Sequence, residues 1–237
     1  MRRFADLCLN PPLNDPNVIE KISKFSKLIG LNLVGFVFDK RSSENQINRI
    51  IEPFKILDID VVRRIDLAPK SRLELLQDLR KFRGKYEILS VNCMNTQVSV
   101  VASRDRRVDI VSIGYGISMF NIRKMINRIV NKPLEIKLSE ILNPLNPRKF
   151  VLRRLHEEIF TAKKNKIPVI ISSGAKNHLM LRSPRDMAAV GILLGLESDD
   201  ALDSVSKIPY SIVERNREKL SSKWIAEGVQ IHRGSNN

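Results

Sequence analysis

Hydrophobic and polar positions along this chain switch between two periods almost without interruption. Short apolar runs rich in Val, Ile, Leu and Phe alternate with stretches in which apolar residues recur every three or four positions. The first pattern predicts strand and the second amphipathic helix. Strand patterns fall at Phe4–Leu9, Leu31–Phe38, Asp60–Leu67, Glu87–Met94, Val108–Ile113, Leu134–Ile141 and Val169–Ile171. Between them, Val18, Ile22, Phe25 and Ile29 share one helical face, as do Ile47, Ile50, Ile51 and Phe54, then Leu75, Leu79 and Phe82. A short helix is expected from Thr96, another through Ile122, Ile126 and Ile129, and a long one through Leu152, Leu155, Ile159 and Ala162. Start signals mark several of these: Asp15-Pro16, Ser43 with Gln46, Ser71 with Glu74, and Ser183 with Pro184 and Asp186.

Strict alternation with short connections implies parallel strands joined by right-handed crossovers. About seven such units suit a (β/α) barrel better than an open sheet. The regularity fails after Leu196, where Asp199–Val205 and Pro209–Leu220 are both helical in pattern with no strand between. The expected fold is therefore α/β, a distorted or incomplete TIM-like barrel with about seven parallel strands and extra C-terminal helices. Residues 1–227 read as one domain and 228–237 as a flexible tail.

Charge changes the picture. Lys and Arg number 41 against 26 Asp and Glu, a net charge of +15. Such an excess suits a polyanionic partner, nucleic acid before membrane. Aromatic residues are only 5% of the chain. Single-strand readers need stacking platforms, so their scarcity favours folded nucleic acid recognised by backbone and shape. Cys8 and Cys93 lie far apart inside apolar runs, as free thiols of a reducing compartment do. The opening MRRFADLCL is too short for a signal peptide, and no run approaches transmembrane length. A soluble, cytoplasmic protein is expected.

Barrel enzymes carry their chemistry at the carboxyl ends of the strands. Those positions offer Asn10, Asp39, Asp66, Asn92, Tyr115, Glu140 and Ser173. Asp39, Asp66 and Glu140 could cradle a hard cation, but isolated acids after strands serve more often as caps or turn residues. The three histidines, His156, His178 and His232, form no paired metal spacing. No nucleophile triad, P-loop or dinucleotide fingerprint is present. Hence no catalytic residue and no metal site is assigned. The stretch from Ile167 to Leu196 is more informative. Ser172, Ser173 and Gly174 form a small-residue, phosphate-type loop, and Lys176, His178, Arg182 and Arg185 crowd the approach to a capped helix N-terminus. These four are candidate RNA or partner contacts. Arg104, Arg106 and Arg107, in a loop at the amino end of the barrel, are three more. Arg63 and Arg64 fall within one strand and should point to opposite faces.

Phe4-Ala5-Asp6-Leu7, Val108-Asp109-Ile110-Val111-Ser112, and Ser172-Ser173-Gly174-Ala175 followed by Leu181-Arg182-Ser183-Pro184-Arg185-Asp186 resemble the ribonuclease P protein component 3 family, the 30-kilodalton subunit type of archaea and eukaryotes. The resemblance runs from about Met1 to Leu220. It implies a distorted barrel and a subunit of the ribonucleoprotein that removes the 5′ leader of precursor tRNA. It further implies that the RNA subunit does the chemistry with magnesium, and that the protein works with ribonuclease P protein component 2 and other ribonuclease P proteins. The same barrel is similar to that of the polymerase-and-histidinol-phosphatase metal hydrolases. Those begin with His-x-His after the first strand. Asp6-Leu7-Cys8-Leu9 has no histidine there, which argues against a free-standing phosphoesterase.

Overall fold

A computed structural model of the chain describes residues 2–129, 132–221, 224–226 and 229–230. Seven strands alternate with helices as the pattern predicts. In order they are β1 (Ala5–Leu9), α1 (Pro16–Leu28), β2 (Leu33–Val37), α2 (Glu44–Ile56), β3 (Asp60–Leu67), α3 (Arg72–Phe82), β4 (Ile88–Cys93), α4 (Thr96–Arg104), β5 (Ile110–Ile113), α5 (Met119–Ile126) and β6 (Leu134–Lys137). A short α6 (Ser139–Leu142) and a long α7 (Arg148–Lys164) lead to β7 (Val169–Ser172). All seven strands pair in parallel, in sequence order. The strands are buried along nearly their whole length, because helices cover the outer face and side chains fill the inner one.

Among the described residues the barrel closes between β1 and β7 by a single bridge, Leu9 to Ala175, with the Asn10 amide donating to the Ala175 carbonyl at 2.8 Å. Asp6 stitches the rest of this seam. Its Oδ1 accepts from the Ser173 amide at 3.1 Å and the Cys8 amide at 3.2 Å. The other end of the barrel is plugged. After α8 (Pro184–Leu193) and α9 (Ser198–Ser204), α10 (Lys207–Leu220) lays Ile212 and Val213 on an interior layer of Ala5, Leu7, Leu33, Val62, Ile88, Ile110 and Ile170. Asn216 donates to the Glu87 carbonyl at 2.8 Å, and Arg217 reaches Glu87 at 2.6 Å and Asp60 at 2.5 Å. These contacts pin the plug to the amino ends of β3 and β4.

Start signals act as expected. Asp15, Ser43, Ser71 and Ser183 each accept a backbone amide of their helix's first turn. Beyond a residue or two at strand ends, two features differ. The sixth strand stops at Lys137 rather than running to Ile141. Leu138 and Ser139 continue the ladder to the Ser172 and Ser173 carbonyls at 2.9 and 2.8 Å, and the chain then winds into α6. The C-terminal part also contains a strand pair, β8 (Trp224–Ala226) with β9 (Val229–Gln230). Val229 and Gln230 are the described part of the expected tail, and the remainder of 228–237 lies outside the described residues. Among the described residues no helix is long and apolar enough to cross a membrane.

Candidate functional site: the barrel mouth and its ion network

Side chains alternate along a strand, so Val62, Arg64 and Asp66 of β3 share one face, as do Glu135 and Lys137 of β6. Val62 belongs to the apolar layer on α10, so Arg64 and Glu135 sit one step higher and Asp66 and Lys137 at the open mouth. Arg64 is wholly buried. Its two terminal nitrogens donate to the Glu135 oxygens at 2.6 Å each, Nε donates to Asp66 at 2.6 Å, and Nη1 also reaches the Leu7 carbonyl at 2.9 Å. Gly35 leaves room for that carbonyl, since a Cβ there would lie 2.3 Å from it. Lys137 Nζ donates to the other Asp66 oxygen at 2.6 Å. Ser172 Oγ donates to Glu135 at 2.8 Å.

Burial alone would raise these carboxyls. The Arg64 and Lys137 charges outweigh it, holding Asp66 well below the usual carboxylate range and Glu135 also lowered. Asp6 differs. Burial lifts it to about 6 against hydrogen bonds from Ser173 and the Cys8 amide. Two fixed cations thus stand among the acids, where a divalent metal would need the carboxylates for itself. A second buried group lies beside the first. Arg154 of α7 donates to Glu158, Glu140 and the Ile113 carbonyl, each at 2.8 Å, and its guanidinium carbon sits 5.6 Å from the Tyr115 ring centre. Burial raises Glu158 to about 8 despite Arg154, and raises Glu140 as well.

The acids considered from sequence therefore do not converge. Asp66 belongs to Arg64 and Lys137, Glu140 to Arg154, and Asp39 sits in a turn closed by Ser42, its carbonyl accepting from the Tyr86 hydroxyl at 3.0 Å. Above the network opens a cleft of about 640 Å³. The carboxyl ends of β4, β5 and β6 form its floor, Leu142 to Asn146 one wall, and Lys176 and Met180 the other.

The predicted cationic cluster is divided by the structure. Ser172 and Ser173 are buried, with the Ser172 hydroxyl on Glu135 and the Ser173 amide on Asp6. Their groups serve barrel closure, so the expected open phosphate loop is corrected to a structural one. Gly174, at φ 65°, presses against Ser139, where a Cβ would lie 2.3 Å from the hydroxyl. Lys176 is exposed at the mouth. The chain then descends outside the barrel. His178 meets the Phe25 ring edge-on at 6.4 Å, its Nδ1 buried without a partner among the described residues. Arg182 donates to the Leu179 and Leu181 carbonyls at 2.9 and 2.7 Å. Arg185 emerges beside Arg3, Phe4, Gly30 and Asn32, at the amino ends of β1 and β2. The α8 N-terminus is thus far from Ser172–Gly174. Arg104 and Arg106 are exposed at the amino rim, whereas Arg107 is paired with Asp105 at 2.7 Å.

The family model described as RNase P subunit p30 matches residues 3–221. The chain belongs to the RNase P subunit p30 family. Ribonuclease P protein component 3 of Methanosarcina mazei is 27% identical, over 98% of this chain and 96% of its own. That of Methanothermobacter thermautotrophicus is 28% identical over 75% and 74%. A chain in a cryo-EM structure of archaeal ribonuclease P with mature tRNA superposes with a TM-score of 0.78 at 20% identity, covering 98% of this chain and all of that one. A dihydroorotase from Campylobacter jejuni reaches 0.57 at 12% identity over 90% and 84%, a likeness of fold. The p30 assignment agrees with the resemblance read from the sequence and favours the ribonuclease P reading over the metal hydrolase. In this p30 chain the inner charges of β3 and β6 are the feature that sequence reading missed. The visible signal was charge inside four- to eight-residue apolar strands. The partners were not visible, since Glu135 lies 71 residues from Arg64.

Proposed function

We propose that this chain acts in ribonuclease P as a non-catalytic protein subunit. It docks on the RNA subunit, which with magnesium removes the 5′ leader of precursor tRNA, and supports folding and activity of that RNA together with ribonuclease P protein component 2 and the other protein subunits. The cytoplasm is its expected location. The carrying observation is the p30 match across residues 3–221. The net charge of +15 supports an RNA partner. The tRNA in the related archaeal assembly supports the substrate. Arg64 and Lys137 among the interior acids support a barrel without its own metal chemistry. Of the cations singled out in sequence, Lys176, Arg185, Arg104 and Arg106 are free to meet phosphate, having no partner among the described residues. His178, Arg182 and Arg107 are engaged internally and shape the loops that present them. The test is omission of this chain from ribonuclease P reconstituted from RNA and proteins, at limiting magnesium. Cleavage of precursor tRNA should fall without it and recover when it is added. Equal cleavage with and without the chain would contradict the assignment.

A further inference from the structure

The mouth cleft holds chemistry that barrel closure does not use. Tyr115, just beyond β5, is 43% exposed and lines the cleft. Its ring is held from one side by Arg154, itself locked on Glu158, Glu140 and the Ile113 carbonyl. An aromatic ring fixed in advance loses little freedom when something stacks on it. On the floor, the Asn92 amide and the Ser112 hydroxyl have no hydrogen-bond partner among the described residues. Lys176 stands on the wall, likewise unpaired. A volume of about 640 Å³ lies within the range of sites for small organic ligands. A π platform, two free hydrogen-bonding groups and one free ammonium match the parts of a nucleotide: base face, base edge and phosphate. We propose that the barrel mouth receives one unpaired nucleotide of a bound RNA, its base on Tyr115, its edge at Asn92 and Ser112, and its phosphate at Lys176.

The proposal rests on the ribonuclease P reading for its ligand class and extends it to a single residue of the RNA. It also gives the scarce aromatics a use. One platform takes one extruded base from an otherwise paired RNA, while phosphate contacts elsewhere hold the duplex. An acidic protein segment is the competing occupant, and it would have no use for a stacking face.

The experiment uses the full chain and two RNA hairpins, one fully paired and one carrying a single bulged 2-aminopurine. Binding should favour the bulged hairpin by about tenfold, with 2-aminopurine fluorescence quenched on stacking. Tyr115→Ala should abolish both the preference and the quenching, and Tyr115→Phe should keep them. Lys176→Ala, at an exposed position that does not support the fold, should weaken the bulged hairpin more than the paired one. Melting temperatures are recorded for every variant. Equal affinity of the unmutated chain for both hairpins overturns the proposal. So does an unchanged preference in Tyr115→Ala, and loss of protein component 2 binding in these variants with no bulge preference in the parent overturns it in favour of the acidic protein segment. Reconstituted cleavage is measured alongside. If the parent chain stimulates cleavage but shows no bulge preference, only the mouth site fails. If it gives no stimulation, the subunit reading fails.

Discussion

Arg64 joins three strands through its side chain alone: Glu135 on β6, Asp66 on its own β3, and the Leu7 carbonyl on β1. Removing one partner of such a buried pair leaves uncompensated charge, and costs about 3–5 kcal/mol. Arg64→Met should destabilise by that order in denaturant unfolding. The deficit should depend on pH. In the parent chain Asp66 and Glu135 are lowered, so they add stability above the ordinary carboxylate range, and it is lost as pH falls. In the variant the Arg64 charge is gone while Lys137 and the Ser172 hydroxyl remain, so less of that stability is present to be lost. The gap should be widest near neutrality and shrink below about pH 4. A gap unchanged from about pH 5 down to about pH 2 would count against the network. Some of this was legible beforehand. Adjacent Arg63 and Arg64 do point to opposite faces, Arg63 to Glu44 at 2.9 Å and Arg64 inward. What Arg64 meets was not legible, because strand order and barrel closure bring its partners together.

At the scale of elements, the helix and strand periods carried the fold because nearly every unit buries one complete face. The last helix shows where the pattern runs out. Pro209–Leu220 reads as helix from its period, and α10 is one, but periodicity does not say that it plugs the barrel's amino end. Ile212 is buried in that contact, in one apolar cluster with Leu7, Val62 and Ile110 among others. Ile212→Ala should cost about 2–5 kcal/mol, as a cavity in a packed core does. A loss within a few tenths would mean that α10 is only loosely docked. The loop after β7 departs from its sequence pattern for a related reason. Ser172–Gly174 and the Ser183 cap are near in sequence, so they read as one anion site. The chain between them travels down the outside of the barrel, past Phe25, and separates them.

On the whole molecule, positive charge divides into residues that hold the fold and residues that face solvent. Arg104 and Arg106 are exposed, whereas the Arg107 guanidinium is bound to Asp105. In RNA-binding titrations against salt, Arg104→Ala with Arg106→Ala should flatten the slope of log affinity by roughly one unit for each phosphate no longer neutralised, taking the duplex DNA relation as a guide. Arg107→Ala should lower the melting temperature and leave the slope nearly unchanged. The reverse outcome would move the RNA surface away from this rim. We propose that the barrel serves the enzyme without catalysing anything itself, Asp66 and Glu135 being committed to Arg64 and Lys137. The most direct measurement is cleavage of precursor tRNA by the isolated chain across a magnesium and manganese titration, beside the reconstituted enzyme. No cleavage above background is expected from the chain alone, at any metal concentration, and 5′ leader removal is expected from the assembly. Cleavage by the isolated chain that saturates with metal and is lost in Glu135→Gln would contradict that claim.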